Sequence, residues 1–128
     1  MEFTSVNKIF EAAFKKHWDR PAISNYQGVT LHYRDVARRI EKLHIMFEEC
    51  GLKKGDKVAL CSRNHANWAV AFLASMTYGA VPVPLLHEFK SANIHHLVNH
   101  SEAKILFVDD VIWEGLSESE MPDLHAII

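Results

Sequence analysis

Apolar residues are densest in the middle of the chain, between Asp56 and Leu86. A short apolar run at 57–61 leads into a segment of small and apolar residues, and a second apolar run follows at 81–85. Runs of this length are typical of buried strands, and the order strand, helix, strand builds parallel sheets. The helical segment is apolar nearly all round, which predicts a helix buried between the sheet and another layer. The pattern therefore predicts a βαβ unit at the centre of the fold.

The segment before this unit begins with a predicted helix at 4–18, whose apolar residues recur at helical spacing. Two short runs at 22–26 and 29–33 then read as strands on either side of Gln27-Gly28. A Gly-containing turn between two such runs is typical of a β-hairpin. The early part of the chain therefore predicts one helix and one small hairpin.

The clearest amphipathic pattern predicts a second helix directly after the hairpin. Its apolar stripe steps by three and four residues and consists of Tyr33, Val36, Ile40, Leu43, Phe47 and Cys50. Asp35 and Arg39 are four apart, a spacing at which opposite charges on a helix can pair. Gly51 is expected to end the helix in a left-handed conformation. Two heptads are too few for a coiled coil, so this helix is expected to lie on a sheet.

After the central unit, the pattern predicts a helix at 90–101, a strand at 104–108, a short helix at 112–116 and the start of a strand at 125–128. The inward face of the helix at 90–101 is predicted to hold Ile94, Leu97, Val98 and Ser101. We therefore predict an α/β fold: a mainly parallel sheet of βαβ units with helices on both faces and a small early hairpin. A chain that stops inside an apolar strand leaves backbone groups unpaired, so we expect these 128 residues to be cut from a longer protein.

Composition and charge exclude several function classes. The formal charge of −2 and the lack of long basic runs argue against a nucleic-acid partner. No Asp, Glu, Lys or Arg occurs between Arg63 and Glu88, but Pro82 and Pro84 limit any helix there to about 15 residues. Such a helix is roughly 22 Å long, short of the ~30 Å hydrocarbon core, so no transmembrane segment is expected. Cys50 and Cys61 form no C-x-x-C motif, and a cytoplasmic location is expected.

The glycine and histidine patterns bear on phosphate binding and on metal binding. No two of the five glycines lie closer than four apart, so no glycine-rich phosphate loop is present. His95, His96 and His100 fall on the predicted helix at 90–101, and His96 and His100 face away from its apolar stripe as a possible zinc or nickel pair. With no third ligand evident, we expect a solvated histidine face. His65 is expected to be a surface residue and not a catalytic base.

Asp109-Asp110 is the strongest competing signal for chemistry. The pair follows a predicted strand, at the sheet edge where α/β folds bind ligands, and paired acids there can hold Mg²⁺. Receiver domains use such a pair, but theirs lies near the start of the domain, whereas here only eighteen residues follow. We expect these two residues to be turn acids.

Six blocks in a fixed order resemble one enzyme family. They are 19–23 (DRPAI), 31–36 (LHYRDV), 51–60 (GLKKGDKVAL), Asn64 and Trp68 with 71–74 (AFLA), 79–85 (GAVPVPL) and 101–106 (SEAKIL). Their order is similar to the N-terminal part of the adenylate-forming (AMP-binding) superfamily, which includes acyl-CoA synthetases, luciferase and peptide-synthetase adenylation domains. His32, Asp35 and Glu102 depart from that family's Thr or Ser, Glu and Gly. The resemblance runs from about Val6 to Ile128.

The resemblance implies an N-terminal fragment of an acyl-CoA synthetase (a long-chain fatty acid–CoA ligase) that uses ATP, Mg²⁺ and coenzyme A. Residues 1–128 would then be a truncated part of the large AMP-binding domain, since the family's phosphate loop and C-terminal domain are absent. The matching blocks have mainly structural roles in that family. We therefore assign no catalytic, cofactor-binding or metal-binding residue, and we expect the segment alone to be inactive.

A different class of function fits the same pattern. The chain would then be a stand-alone, non-catalytic α/β interaction or regulatory domain, Mg²⁺-responsive through Asp109 and Asp110. A fragment is expected to expose the apolar flank of its last strand and to self-associate, whereas a complete module should be a monomer. The acyl substrate, its chain length and the oligomeric state do not follow from the sequence.

Overall fold

The computed structural model of the chain describes residues 3–24, 30–63 and 66–128. The helices in these ranges are α1 (Phe3–Lys16), α2 (Tyr33–Glu49), α3 (Ala66–Tyr78), α4 (Ser91–Ser101) and α5 (Asp110–Trp113). The strands are β1 (Pro21–Ser24), β2 (Thr30–His32), β3 (Lys57–Cys61), β4 (Val81–Pro84), β5 (Ile105–Val108) and β6 (Ala126–Ile127). A 3₁₀ turn covers Glu118–Glu120.

Four strands form a parallel sheet in the order β4-β3-β5-β6. The central strand is β3, where Val58 pairs with Pro82 of β4 on one side and with Ile105 of β5 on the other. The predicted βαβ unit and the mainly parallel sheet are confirmed. Strands β1 and β2 pair antiparallel, which confirms the small hairpin, while its predicted turn at Gln27-Gly28 lies outside the described residues.

Both faces of the sheet are covered because side chains alternate along each strand. Val58 and Leu60 face α2 and α3 and share a buried cluster with Phe47, Ala71, Ala74 and Ile105. Ala59 and Cys61 face the other side and share a cluster with Ile94, Val98, Leu106 and Met121. A strand buried on both faces is apolar at every position, which explains the continuous run VALC at 58–61.

Helix α3 is the buried helix that its uniform apolar pattern predicts. Ala71 and Ala74 pack toward the sheet, while Val70 and Leu73 belong to a separate cluster with Val36 of α2. Phe14 of α1 joins that second cluster. Helix α3 therefore contacts the sheet on one side and α1 and α2 on another, while α2 also reaches the sheet through Phe47.

At the start of α2, Asp35 has a different partner from the one predicted. Asp35 does not pair with Arg39; its Oδ2 accepts a hydrogen bond of 3.0 Å from the backbone N–H of His32. A carboxylate in the first turn of a helix can reach back to a backbone donor that has no intrahelical partner. This hydrogen bond holds the pKa of Asp35 below its usual value. Arg39 donates instead to the side-chain oxygen of Asn67 at the start of α3.

Prolines occupy the open edge of β4. The N–H groups of Val81 and Leu85 donate at 2.8 Å each to Asp56 O, directly before β3, and to Leu60 O of β3. Since successive residues of a strand point their backbone groups in opposite directions, the nitrogens of Pro82 and Pro84 face away from β3. Proline has no N–H, so this edge lacks two of the donors that a further strand would need.

Two predictions near the end of the chain are corrected. The short helix predicted at 112–116 begins earlier, at Asp110, because Asp109 caps it by accepting a hydrogen bond from Ile112 N. Between the short helix and the last strand, where no further element was predicted, the chain forms the 3₁₀ turn, and the next residue, Met121, is only 1% exposed. Met121 fills the core beneath α4, which anchors an otherwise polar segment.

Candidate functional site at the carboxyl ends of the strands

The sheet order creates a crevice between β3 and β5. From β3 the chain passes through α3 to β4, which lies on one side of β3. From β4 it then passes through α4 to β5, which lies on the other side of β3. The connections that leave β3 and β5 therefore diverge at the carboxyl ends of these strands. Open α/β sheets bind ligands at such switch points, so this is where a site is expected from topology.

A half-open cleft of about 730 Å³ lies at this edge of the sheet. Its floor is apolar and includes Trp68, Ala71 and Phe107. Further apolar residues line the cleft together with six polar or charged ones: Arg39, Lys42, Ser62, Asn67, Asp109 and Asp110. The cleft therefore combines an apolar base with cationic side chains from α2 and carboxylates that follow β5.

Asp109 is the most heavily hydrogen-bonded side chain of the cleft. Its Oδ2 lies 3.1 Å from both the backbone N and the Nε of Arg63, and its Oδ1 accepts from Ile112 N at 2.8 Å. Partial burial alone would raise the pKa of Asp109, but these hydrogen bonds and the Arg63 charge outweigh it and hold the pKa below its usual value. Through these contacts Asp109 joins the ends of β3 and β5 and caps α5.

The cleft residues do not fit a binding site for a nucleoside triphosphate. The chain has no glycine-rich loop whose backbone N–H groups could hold the phosphates, and both oxygens of Asp109, which could otherwise bind the accompanying Mg²⁺, already accept hydrogen bonds from the protein. Asp110 accepts from the adjacent Val111 N at 3.0 Å. Across residues 3–24, 30–63 and 66–128, no three His, Cys, Asp or Glu side chains are grouped as a metal site.

The structure places the three histidines predicted on α4 in two different environments. His96 and His100 are exposed and their rings face one another, with centroids 5.8 Å apart. His95 points to a different neighbour, where its Nε2 accepts a hydrogen bond of 3.0 Å from Ser117 N. His65 lies outside the described residues.

The two cysteines have structural positions. Cys61 is fully buried on β3, and burial, with a smaller effect of the Asp109 charge, raises the pKa of its thiol to about 11. A thiol with so high a pKa is rarely ionised and is a poor nucleophile. Cys50 is half-buried and packs at the end of α2. Both are free thiols.

His44 is a half-buried polar residue between α2 and α3 that sequence reasoning missed. Its Nε2 lies 3.0 Å from both Ala74 O and Thr77 Oγ1 of α3, beside a second pocket of about 230 Å³. Since a carbonyl oxygen only accepts, we assign the ring proton to Nε2. Burial lowers the pKa of His44. The available signal was its position four residues after Ile40, which places it beside the apolar stripe of α2.

Arg39, Arg63 and Asn67 were also missed, and no local signal marked them. Each lies on a different element or loop, and the spacings between them match no motif. Arg39 and Asn67 meet at the cleft only because α2 packs on α3, and Arg63 reaches the cleft residue Asp109 only because β3 and β5 are neighbours. Sequence spacing cannot predict a constellation that depends on strand order.

The comparisons with known proteins agree with this fold. The family model described as AMP-binding enzyme matches residues 10–127. The chain belongs to the AMP-binding enzyme family. It is similar both to acyl-CoA synthetases and to surfactin synthase subunits. Surfactin synthase subunit 2 of Bacillus subtilis (strain 168) is 26% identical over 121 residues, which is 94% of this chain and 3% of the relative.

Two further comparisons concern acyl-CoA enzymes. Long chain acyl-CoA synthetase 5 of Arabidopsis thaliana is 27% identical over 110 residues, covering 80% of this chain and 16% of the relative. The crystal structure of a long-chain-fatty-acid-CoA ligase from Archaeoglobus fulgidus superposes with a TM-score of 0.83 at 23% identity, over 97% of this chain and 27% of that one. This last likeness concerns the fold alone. The chain thus spans a small fraction of the AMP-binding enzymes that it matches.

The length of the helices bears on whether one of them could cross a membrane. Within the ranges that the structure describes, none is long and apolar enough to span a bilayer. Helix α3, the most apolar, has 13 residues, about 20 Å at 1.5 Å per residue.

Proposed function

We propose that this chain is the N-terminal region of the AMP-binding domain of an acyl-CoA synthetase that activates a carboxylic acid, with a fatty acid as its substrate class. The observation that carries the proposal is the family match over residues 10–127. The similarity to a long chain acyl-CoA synthetase over 80% of the chain supports the fatty acid. A cytoplasmic location is part of the proposal, because Cys50 and Cys61 are both free thiols.

The proposed reaction follows from the chemistry of a carboxylate, which is a poor electrophile. Its oxygen attacks the α-phosphate of ATP, forming an acyl-adenylate and releasing pyrophosphate, and the thiol of coenzyme A then displaces AMP. Mg²⁺ and a positively charged phosphate loop would offset the charge that develops on the phosphate oxygens. The residues of this chain do not fit that role. We therefore assign ATP, Mg²⁺ and coenzyme A to other parts of the parent enzyme.

Within the parent enzyme, this chain would contribute a scaffold. Its four parallel strands are covered on both faces by helices. The pair formed by Arg63 and Asp109 fixes the ends of two strands at the open cleft. A rigid sheet edge of this kind can position loops that carry catalytic groups. Alone, the chain is expected to have no acid-activating activity.

A second candidate is an adenylation domain of a peptide synthetase. It is favoured by the match to surfactin synthase subunit 2, which covers more of the chain than the acyl-CoA synthetase match does. Both candidates share formation of an acyl-adenylate. They differ in the acid that is activated and in the thiol that receives the acyl group.

Acid-dependent exchange of pyrophosphate into ATP separates these candidates. The assay is run on the natural full-length protein with fatty acids of graded length, aryl acids and amino acids, followed by measurement of acyl-CoA formation. Fatty-acid-dependent exchange with acyl-CoA product supports the first candidate. Exchange with amino acids and no acyl-CoA supports the second, and no exchange with any acid overturns both.

The mass of the native protein in its source cells tests the assignment to a larger enzyme. An antibody raised against this chain should detect a band several-fold heavier than 14.6 kDa. A band at 14.6 kDa would overturn the proposal in favour of a stand-alone α/β interaction or regulatory domain.

A further inference from the structure

Two histidine rings face each other on the outer surface of α4. His96 and His100 are one helical turn apart, both are exposed, and their ring centroids lie 5.8 Å apart with an angle of 18° between the planes. Residues four apart on a helix lie one above the other on the same face. The pair is therefore held side by side by the backbone of α4 and needs no long-range contact.

The third histidine of the cluster is engaged elsewhere. The Nε2 of His95 accepts a hydrogen bond from Ser117 N, which uses the lone pair that would bind a cation. Within the described part of the chain, the structure gives His96 and His100 no interaction except their mutual ring contact. Their ring nitrogens are thus available to a ligand from solvent.

We propose that His96 and His100 form a bidentate site for a divalent transition-metal ion of the zinc, nickel and copper group. Imidazole nitrogens bind these borderline ions well, whereas Mg²⁺ prefers oxygen ligands. Because the described residues near the pair supply no third ligand, water completes the metal's coordination shell. This site is independent of the function proposed above.

Metal binding at this pair would stabilise α4 against unfolding. The inner face of α4 carries Ile94 and Val98, which are 2% and 1% exposed and pack on the sheet. A metal that joins His96 to His100 closes the last helical turn before Glu102, a left-handed residue with φ of 60°. An ion that binds the folded chain more tightly than the unfolded one shifts unfolding by mass action.

Thermal unfolding of the metal-free chain, titrated with Zn²⁺ alone, tests the site. The midpoint should rise with Zn²⁺ and stay unchanged with Mg²⁺, and isothermal titration should give one Zn²⁺ of highest affinity per chain. His100→Ala should weaken Zn²⁺ binding about tenfold or more, because chelation by two linked groups is lost. Both side chains are exposed, so the variant should fold normally.

A rescue variant makes the test specific to the spacing. Ala92 is exposed and lies four residues before His96, so Ala92→His added to His100→Ala recreates the same pair one turn earlier. Zn²⁺ binding should return in this double variant and should be unaffected by His87→Ala, a histidine outside α4. Equal Zn²⁺ affinity of the wild type and His100→Ala, or no recovery in the double variant, would overturn the proposal.

Discussion

Arg63 and Asp109 form an ion pair that connects the carboxyl ends of two neighbouring parallel strands. The Nε of Arg63, two residues after β3, lies 3.1 Å from Oδ2 of Asp109, which directly follows β5. The same carboxylate accepts the Arg63 backbone N–H, and its other oxygen caps α5. One side chain thus fixes the strand ends, the following loop and a helix start at the cleft.

Replacing Asp109 by Ala should destabilise the chain by about 1–2 kcal/mol, because both the helix cap and the ion pair are lost. Asp109→Asn should cost less, since Asn is also a good N-cap residue. Urea denaturation measures both. The matched control is Asp110→Asn, an exposed neighbour whose change should stay within about 0.5 kcal/mol. Equal effects at the two positions would contradict the role of Asp109.

The difference in the free energy of unfolding between the wild type and Asp109→Asn should depend on pH. Asp109 has a lower pKa in the folded chain than in the unfolded chain, so its contribution is present above the unfolded value, about 3.9. As pH falls through the folded pKa, the carboxylate is protonated and the contribution is lost. Denaturation curves at pH 7 and pH 3 should therefore show a smaller difference between the two proteins at pH 3.

His44 should make stability fall when pH is lowered from 7 to 5. Burial favours its neutral form in the fold, so the unfolded chain binds a proton more readily in this range. His44→Gln can keep a donor toward Ala74 and should flatten this pH dependence. The control is His87→Gln on an exposed loop. A slope that is unchanged in His44→Gln, or equally reduced in the control, would show that another group causes it.

Phe47 should be the most costly residue of α2 to truncate. It is 0% exposed and makes edge-to-face contacts with Tyr78 and Phe107, at centroid distances of 5.3 and 6.0 Å. Phe47→Ala should destabilise by about 3–5 kcal/mol, measured by urea denaturation. Ile45→Ala, two residues away and 51% exposed, is the matched control and should cost under about 1 kcal/mol. Comparable losses would mean that α2 is not packed through Phe47.

The prolines of β4 should protect that edge from association. Changing both Pro82 and Pro84 to Val supplies two outward N–H donors to a flat apolar strand. Light scattering after size-exclusion chromatography should show more concentration-dependent association than in the wild type. Pro122→Val, in an exposed loop, is the control. If both variants behave like the wild type at all concentrations, the prolines have no protective role.

Association of the wild-type chain through its last strand, β6, stays a prediction.

The elements were predictable to the extent that their signals were local. The run at 57–61 predicted β3 with its observed bounds, and Gly51 has the predicted left-handed conformation with φ of 74°. The start of α5 was misplaced because its cap was not recognised, and the anchored 3₁₀ turn was missed because the burial of Met121 depends on α4. The pairing of Asp35 was wrong because a free backbone donor at the helix start competes with Arg39.

The sequence by itself determined the fold class and the family, because hydrophobic periodicity and ordered motif blocks are properties of one continuous chain. Tertiary structure decided which residues share a site. The strand order β4-β3-β5-β6 brings Arg63 beside Asp109 across 46 positions, and the packing of α2 on α3 brings Arg39 to Asn67. Such contacts depend on which elements become neighbours when apolar faces are buried together. Local spacing carries no record of that choice, so the cleft became visible only in the folded chain.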